Sequence, residues 1–161
     1  MKGLRRRKKM VLALTALAVA VSLATVGAAL AALQLGVLAD ANTVNDGKFK
    51  SEHGLIKLKT KGSVRIRDVQ TSGAPAFTSG WHTHPGPVIV AMTATSAGTL
   101  TLYDAKCHGT TLSANQAYIE TPNEPVLARN ESAANAEWVT TMIVPIGVPF
   151  TNPLAVGPCT P

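Results

Sequence analysis

The chain of 161 residues suits one domain plus an appendage. Its formal charge of +6 lies almost wholly in a basic head: six of the fifteen basic residues (Lys2, Arg5, Arg6, Arg7, Lys8, Lys9) precede residue 10. Residues 42–161 carry nine basic against eight acidic side chains, a net of +1, with few aromatics to stack on bases, which excludes a nucleic-acid partner.

Residues 11–39 hold no charge and are dominated by Leu, Ala and Val. A basic head, an apolar run and small residues form an export signal, with Ala39-Asp40-Ala41 as the cleavage site and Val26-Gly27-Ala28 as an earlier choice. The run exceeds the roughly 7–15 residues of a signal core and reaches the roughly 20 of a spanning helix, so an uncleaved signal-anchor stays open beside cleavage. Either way the positive-inside rule leaves the body extracytoplasmic, secreted or anchored, with the membrane touched only through this segment. The expected organisation is residues 1–41 as signal or anchor, 42–54 as linker, 55–150 as the folded domain and 151–161 as a tail.

Cys107 and Cys159 both lie in the exported portion, where the simple reading is one disulfide. Closing a loop of that length stabilises a fold by roughly 4 kcal/mol in the chain-entropy model. Adjacent His108 makes a thiol nucleophile or metal ligand the rival reading. However, neighbours on an extended chain face opposite ways, and Gly109, Thr110 and Thr111 read as loop.

The linker is polar and turn-rich, with His53 solvated. Beyond it the pattern changes to period two. Leu55-Ile56-Lys57-Leu58-Lys59-Thr60 alternates imperfectly and Val64-Arg65-Ile66-Arg67-Asp68-Val69 cleanly, with a turn at Lys61-Gly62-Ser63. Thr71-Ser72-Gly73-Ala74-Pro75 reads as a loop, and Val88-Ile89-Val90-Ala91-Met92 as a strand buried on both faces. Strands follow at Thr99-Leu100-Thr101-Leu102-Tyr103-Asp104, Gln116-Ala117-Tyr118-Ile119-Glu120, Val126-Leu127-Ala128-Arg129-Asn130 and Glu137-Trp138-Val139-Thr140-Thr141-Met142-Ile143-Val144. From Pro145 the tail is irregular and held by Cys159. About seven or eight short strands, with turns roughly every 8–12 residues and no amphipathic helix after residue 41, predict an all-β fold: a small antiparallel β-barrel or jelly roll behind an N-terminal hydrophobic signal helix.

The chemistry concentrates in Gly80-Trp81-His82-Thr83-His84-Pro85-Gly86-Pro87. On a strand His82 and His84 project to one face about 7 Å apart, close enough to bite a single metal ion. Trp81, Trp138, Tyr103 and Tyr118 read as core or half-buried wall residues. Arg129-Asn130 reads as structural, although Asn130-Glu131-Ser132 is formally a glycosylation sequon.

This stretch resembles the first motif of the cupin superfamily, a glycine before His-x-His followed by a glutamate and a glycine. Residues 118–131 echo its second motif, Pro-x-Gly-x-x-His-x-x-x-Asn, and the likeness covers roughly residues 62–150. In particular the chain is similar to small exported single-domain cupins of actinobacteria, which carry Trp-His-x-His-Pro-Gly and a late cysteine. The resemblance implies a divalent metal (Zn, Ni, Cu, Mn or Fe) held inside the barrel by three histidines and one glutamate, and a homodimer through sheet edges. Only His82 and His84 carry over. The glutamate position falls at Val88 or Ile89, the third histidine position at Val126, and the following glycine is displaced to Gly98. By strand parity Glu124 or Glu120 is the candidate third ligand. The expected function is binding of a divalent metal or small ligand at His82 and His84. The alternatives are a metal-dependent oxygenase or isomerase, for which no general base is identified, and a metal-free structural or interaction domain at the cell surface.

Overall fold

The structure, a computed structural model, describes residues 33–161. Strands β1 (Leu33–Asn42), β2 (Lys48–Lys50), β3 (Lys57–Lys59), β4 (Val64–Gly73), β5 (His82–Thr83), β6 (Val88–Met92) and β7 (Leu100–Tyr103) come first. They are followed by β8 (Gly109–Leu112), β9 (Ala117–Glu120), β10 (Leu127–Arg129), β11 (Ala136–Pro145) and β12 (Asn152–Pro153). The only helical turn among the described residues is a 3-10 turn at Glu52–Gly54.

Two ten-residue strands set the frame, because their alternating side chains let one face be buried along the whole ladder. β4 and β11 pair antiparallel from Val64↔Pro145 to Gly73↔Ala136, and on them is built a five-stranded sheet of order β1-β4-β11-β6-β9. A three-stranded sheet β10-β7-β8 and the pair β12-β5 make the second layer, joined by the isolated bridges Thr78↔Arg129 and His82↔Val126. Every strand pair is antiparallel, and the core lies between the layers: Val88, Val90 and Met92 of β6, Leu100 and Leu102 of β7, Trp138, Met142 and Val144 of β11.

Several expectations are corrected. β4 runs on to Gly73, so residues 71–73 are strand and not loop: Thr71 is opposite Trp138 in the ladder and buried beside it. β6 is buried on one face only, with Ile89 39% exposed, because nothing among the described residues covers the outer face of the five-stranded sheet. Gly109, Thr110 and Thr111 belong to β8, which pairs with β7; its small polar residues suit an exposed edge and gave no apolar period. The tail is not wholly irregular, since β11 continues to Pro145 and β12 pairs with the histidine strand β5. Residues 48–50 and 52–54, expected as linker, form β2 and the 3-10 turn. Asn130 is wholly buried, and its Nδ2 donates to the carbonyls of Gly73 and Ala134, which closes the sequon to a glycan.

The expected signal helix lies outside the described residues, but residues 33–41 do not: they form β1, the outer strand beside β4. The strand is locked by Asp40, which accepts hydrogen bonds from both Arg65 and Arg67. Those bonds, Arg65's first, hold its carboxyl down at about 2. A full chain of hydrogen bonds to β4 disappears if β1 is removed. A chain beginning at residue 43 is therefore expected to melt several degrees below one beginning at residue 33, read by circular dichroism. Equal midpoints would mean that β1 contributes nothing to the fold.

Candidate functional site

Gly80 starts the site. Its φ of +69° is one that side-chain-bearing residues rarely adopt, and its carbonyl accepts a hydrogen bond from His82 Nδ1 at 2.8 Å. Two residues on, His84 Nδ1 donates to the carbonyl of Phe150 at 2.7 Å. A carbonyl only accepts, so both imidazoles carry their proton on Nδ1 and present the Nε2 lone pair. The strand is gripped from both sides. His82 exchanges backbone hydrogen bonds with Val126, and Thr83 and His82 pair with Asn152 and Pro153 of β12. The Cys107–Cys159 disulfide ties down the tail that carries β12. Trp81 packs on Gly157, where a Cβ would run into the indole, and Gly86 sits against the Ile143 backbone, where a Cβ would meet the carbonyl oxygen.

As the alternation requires, His82 and His84 face one cavity, edge to face with ring centroids 4.8 Å apart. Glu120 joins them: its Oε2 lies 3.3 Å from His84 Nε2, and both residues are under a tenth exposed. Glu120 reaches this place from β9, directly opposite Val88 on β6. Val88 is a position at which the cupin resemblance expects the glutamate, so the acid stands on the neighbouring strand at the same level. Glu124, the other candidate by parity, is exposed on the turn after Thr121-Pro122-Asn123 and does not line the cavity; the break at Pro122 ends the strand phase that linked it to Val126. His108 is solvated beside Asp104, its Nδ1 3.3 Å from Oδ2, and Cys107 is bonded to Cys159.

The electrostatics of the pair are set by burial. Desolvation lifts the Glu120 carboxyl to about 7 and pushes both imidazoles below their ordinary range. Glu120 Oε2 has no hydrogen-bond partner, yet it faces a nitrogen lone pair. Two electron-rich atoms at that distance need a proton or a cation between them. Two ligands of a tetrahedral metal with bonds of ~2.0–2.2 Å stand about 3.3–3.6 Å apart, which the separation of His84 Nε2 and Glu120 Oε2 fits. The donors fit a divalent ion as a two-point site with His82 beside it. Among the described residues no three His, Cys, Asp or Glu side chains are already gathered around one point.

One rung of the five-stranded sheet runs through the site: Asp40, Arg67, Met142, Val88 and Glu120 are successive partners across β1, β4, β11, β6 and β9. Sequence reasoning missed Phe150 in this arrangement. Its carbonyl holds His84, while Arg67 and Arg65 lie over its ring at 4.0 and 4.7 Å. Nothing in the period of a proline-rich tail points to such a role.

This architecture is the cupin fold. A cupin-like protein from Thermotoga maritima matches with a TM-score of 0.52 and 13% identity, over 76% of this chain and 75% of that one. An uncharacterised protein with a double-stranded β-helix domain from Klebsiella pneumoniae matches with a TM-score of 0.51 and 17% identity, over 76% and 85% of the two chains. No protein-family model matches the sequence, and no curated protein matches it. At these identities the likeness carries the fold.

The raised carboxyl has a pH signature. Glu120 is protonated in the folded chain up to about 7 and in the unfolded chain only up to about 4.5. Its contribution is therefore fully present below about 4.5 and lost as pH rises through about 7, on the order of 3 kcal/mol in all. The histidines act oppositely, losing stability as pH falls below their ordinary ~6.5. In metal-free protein, the decline between about pH 6.5 and 7.5 is thus expected to vanish in Glu120→Gln. Parallel urea titrations of parent and variant across that window test it; parallel curves would refute it.

Proposed function

We propose that the protein is an extracytoplasmic binding module that holds a divalent metal ion through His82, His84 and Glu120. One observation carries the reading: His84 Nε2 and the orphaned Glu120 Oε2 face each other at 3.3 Å in a buried setting. Fixing both Nδ1–H groups on carbonyls leaves the Nε2 lone pairs as donors, the arrangement that metal-binding histidines need. Glu120 supplies the negative charge that Val88 and Ile89 do not. The disulfide supports an oxidising, extracytoplasmic compartment.

When bound, a divalent ion supplies a Lewis acid that polarises an oxygen of a ligand in the adjoining cavity. The protein's part is to orient and to exclude water. Gly80 and Phe150 set the tautomers, and the aliphatic walls keep the dielectric low. Two imidazoles and one carboxylate suit Zn²⁺ and Fe²⁺ alike, so a metal-dependent oxygenase or isomerase is the second reading.

Elemental analysis of the purified full chain is expected to find bound divalent metal that His82→Ala/His84→Ala lacks. Glu120→Gln should bind at least about tenfold more weakly, a loss no smaller than that of an outer-shell partner. Glu124→Gln should match the parent. A parent without metal after incubation with Zn²⁺, Ni²⁺ or Fe²⁺ would favour the metal-free domain. Turnover that disappears with the metal would move the assignment to the enzyme.

A further inference from the structure

The cavity beside the histidines has a volume of about 250 Å³ and a strong internal gradient. Its polar end is the level of Met142, Val88 and Glu120, where His84 and His82 enter. Its other end is the level of Trp138, whose indole packs against Phe77 at a centroid distance of 5.5 Å. Four residues of β11 separate the two levels, ~13 Å of extended chain. Between them the walls are mainly Val69, Val90, Leu100, Leu102 and Ala128, from strands of the two facing layers, with Thr140 among them and Thr71 beside Trp138.

Charge is confined to one place. Among the described residues, Glu120 is the only Asp, Glu, Lys or Arg that lines the cavity. The guanidiniums of Arg67, on the rung, and of Arg65, two residues before it on β4, are engaged by Asp40 and lie over the Phe150 ring, and neither lines the cavity. Away from the histidines the polar lining is hydroxyl only, from Thr71, Ser79, Thr140 and Thr151, so a second anionic group there would be taken out of water with no positive charge to meet it, at a cost that disfavours it. The space holds roughly eight water-sized groups at the ~30 Å³ that a water occupies in the liquid.

We infer that the cavity binds a compact, mainly apolar molecule, aromatic or branched aliphatic. A single oxygen head lies at His82, His84 and Glu120, and the body points toward Phe77 and Trp138. Small dicarboxylates are disfavoured. The inference rests on the proposed metal site for the identity of the polar end. The affinity for the apolar body comes from the strand walls.

Isothermal calorimetry of the zinc-loaded full chain with 4-methylphenol and with malonate tests this directly. Saturable binding of 4-methylphenol, at least tenfold tighter than malonate, is expected. It should be lost in Ala128→Leu and, independently, in Thr140→Leu, two variants that fill the cavity without touching the polar end; bound zinc should stay at the parent level in both. Malonate binding as tight as 4-methylphenol, no saturable binding in the parent, or binding untouched by both filling variants overturns the inference. Zinc retained with no 4-methylphenol bound defeats the ligand class and leaves the metal reading standing. 4-Methylphenol bound by a protein that holds no zinc supports the ligand class and defeats the metal reading.

Discussion

A carboxyl group taken out of water needs a proton or a cation beside it, and Glu120 meets that demand against His84. The neighbourhood is built around that constraint. The imidazole faces the acid with a lone pair because its other nitrogen is spent on the Phe150 carbonyl. It stays neutral because the same apolar walls desolvate both partners. His84 directly follows a strand only two residues long, His82–Thr83, held by β12 on one side and Val126 on the other. A site so lightly framed keeps its geometry because the long β4–β11 ladder and the disulfide fix what surrounds it.

Apolar residues at the positions where the cupin resemblance expects ligands therefore do not fill the site. Val88 and Val126 are aliphatic and buried, as a metal-free core requires. Yet a polar face survives, because an acid on β9 occupies the same level of the sheet as Val88. In an antiparallel pair, directly opposed residues present their side chains to the same face, so a functional group moves one strand sideways without leaving the cavity.

That geometry also explains what was legible in the sequence. Period-two alternation identified β4, β7, β9, β10 and β11 and put His82 and His84 on one side, because alternation is a local property, while an uninterrupted apolar run marked β6. Glu120 was reachable through parity, though the break at Pro122 left it level with Glu124, which the turn carries to the surface. β1 was hidden because its residues continue the composition of the apolar run before it, and only Asp40, paired with arginines 25 and 27 residues later, marks it as part of the sheet. β8 and β12 gave no signal: one is a short polar edge, the other two residues that exist as strand only through long-range pairing. Phe150 was invisible for the same reason, since its role is made by Arg65 and Arg67 of β4 and by His84.

Phe150 joins the outermost strand to the imidazole. Its ring lies under the guanidiniums that grip Asp40 of β1, while its carbonyl fixes the tautomer of His84. If β1 is peeled from the sheet, two arginines lose their counter-ion directly above the residue that steers the ring. A carboxylate on the outermost strand and a histidine inside the barrel are thus joined through a single phenylalanine, whose ring meets the arginines and whose carbonyl holds the imidazole.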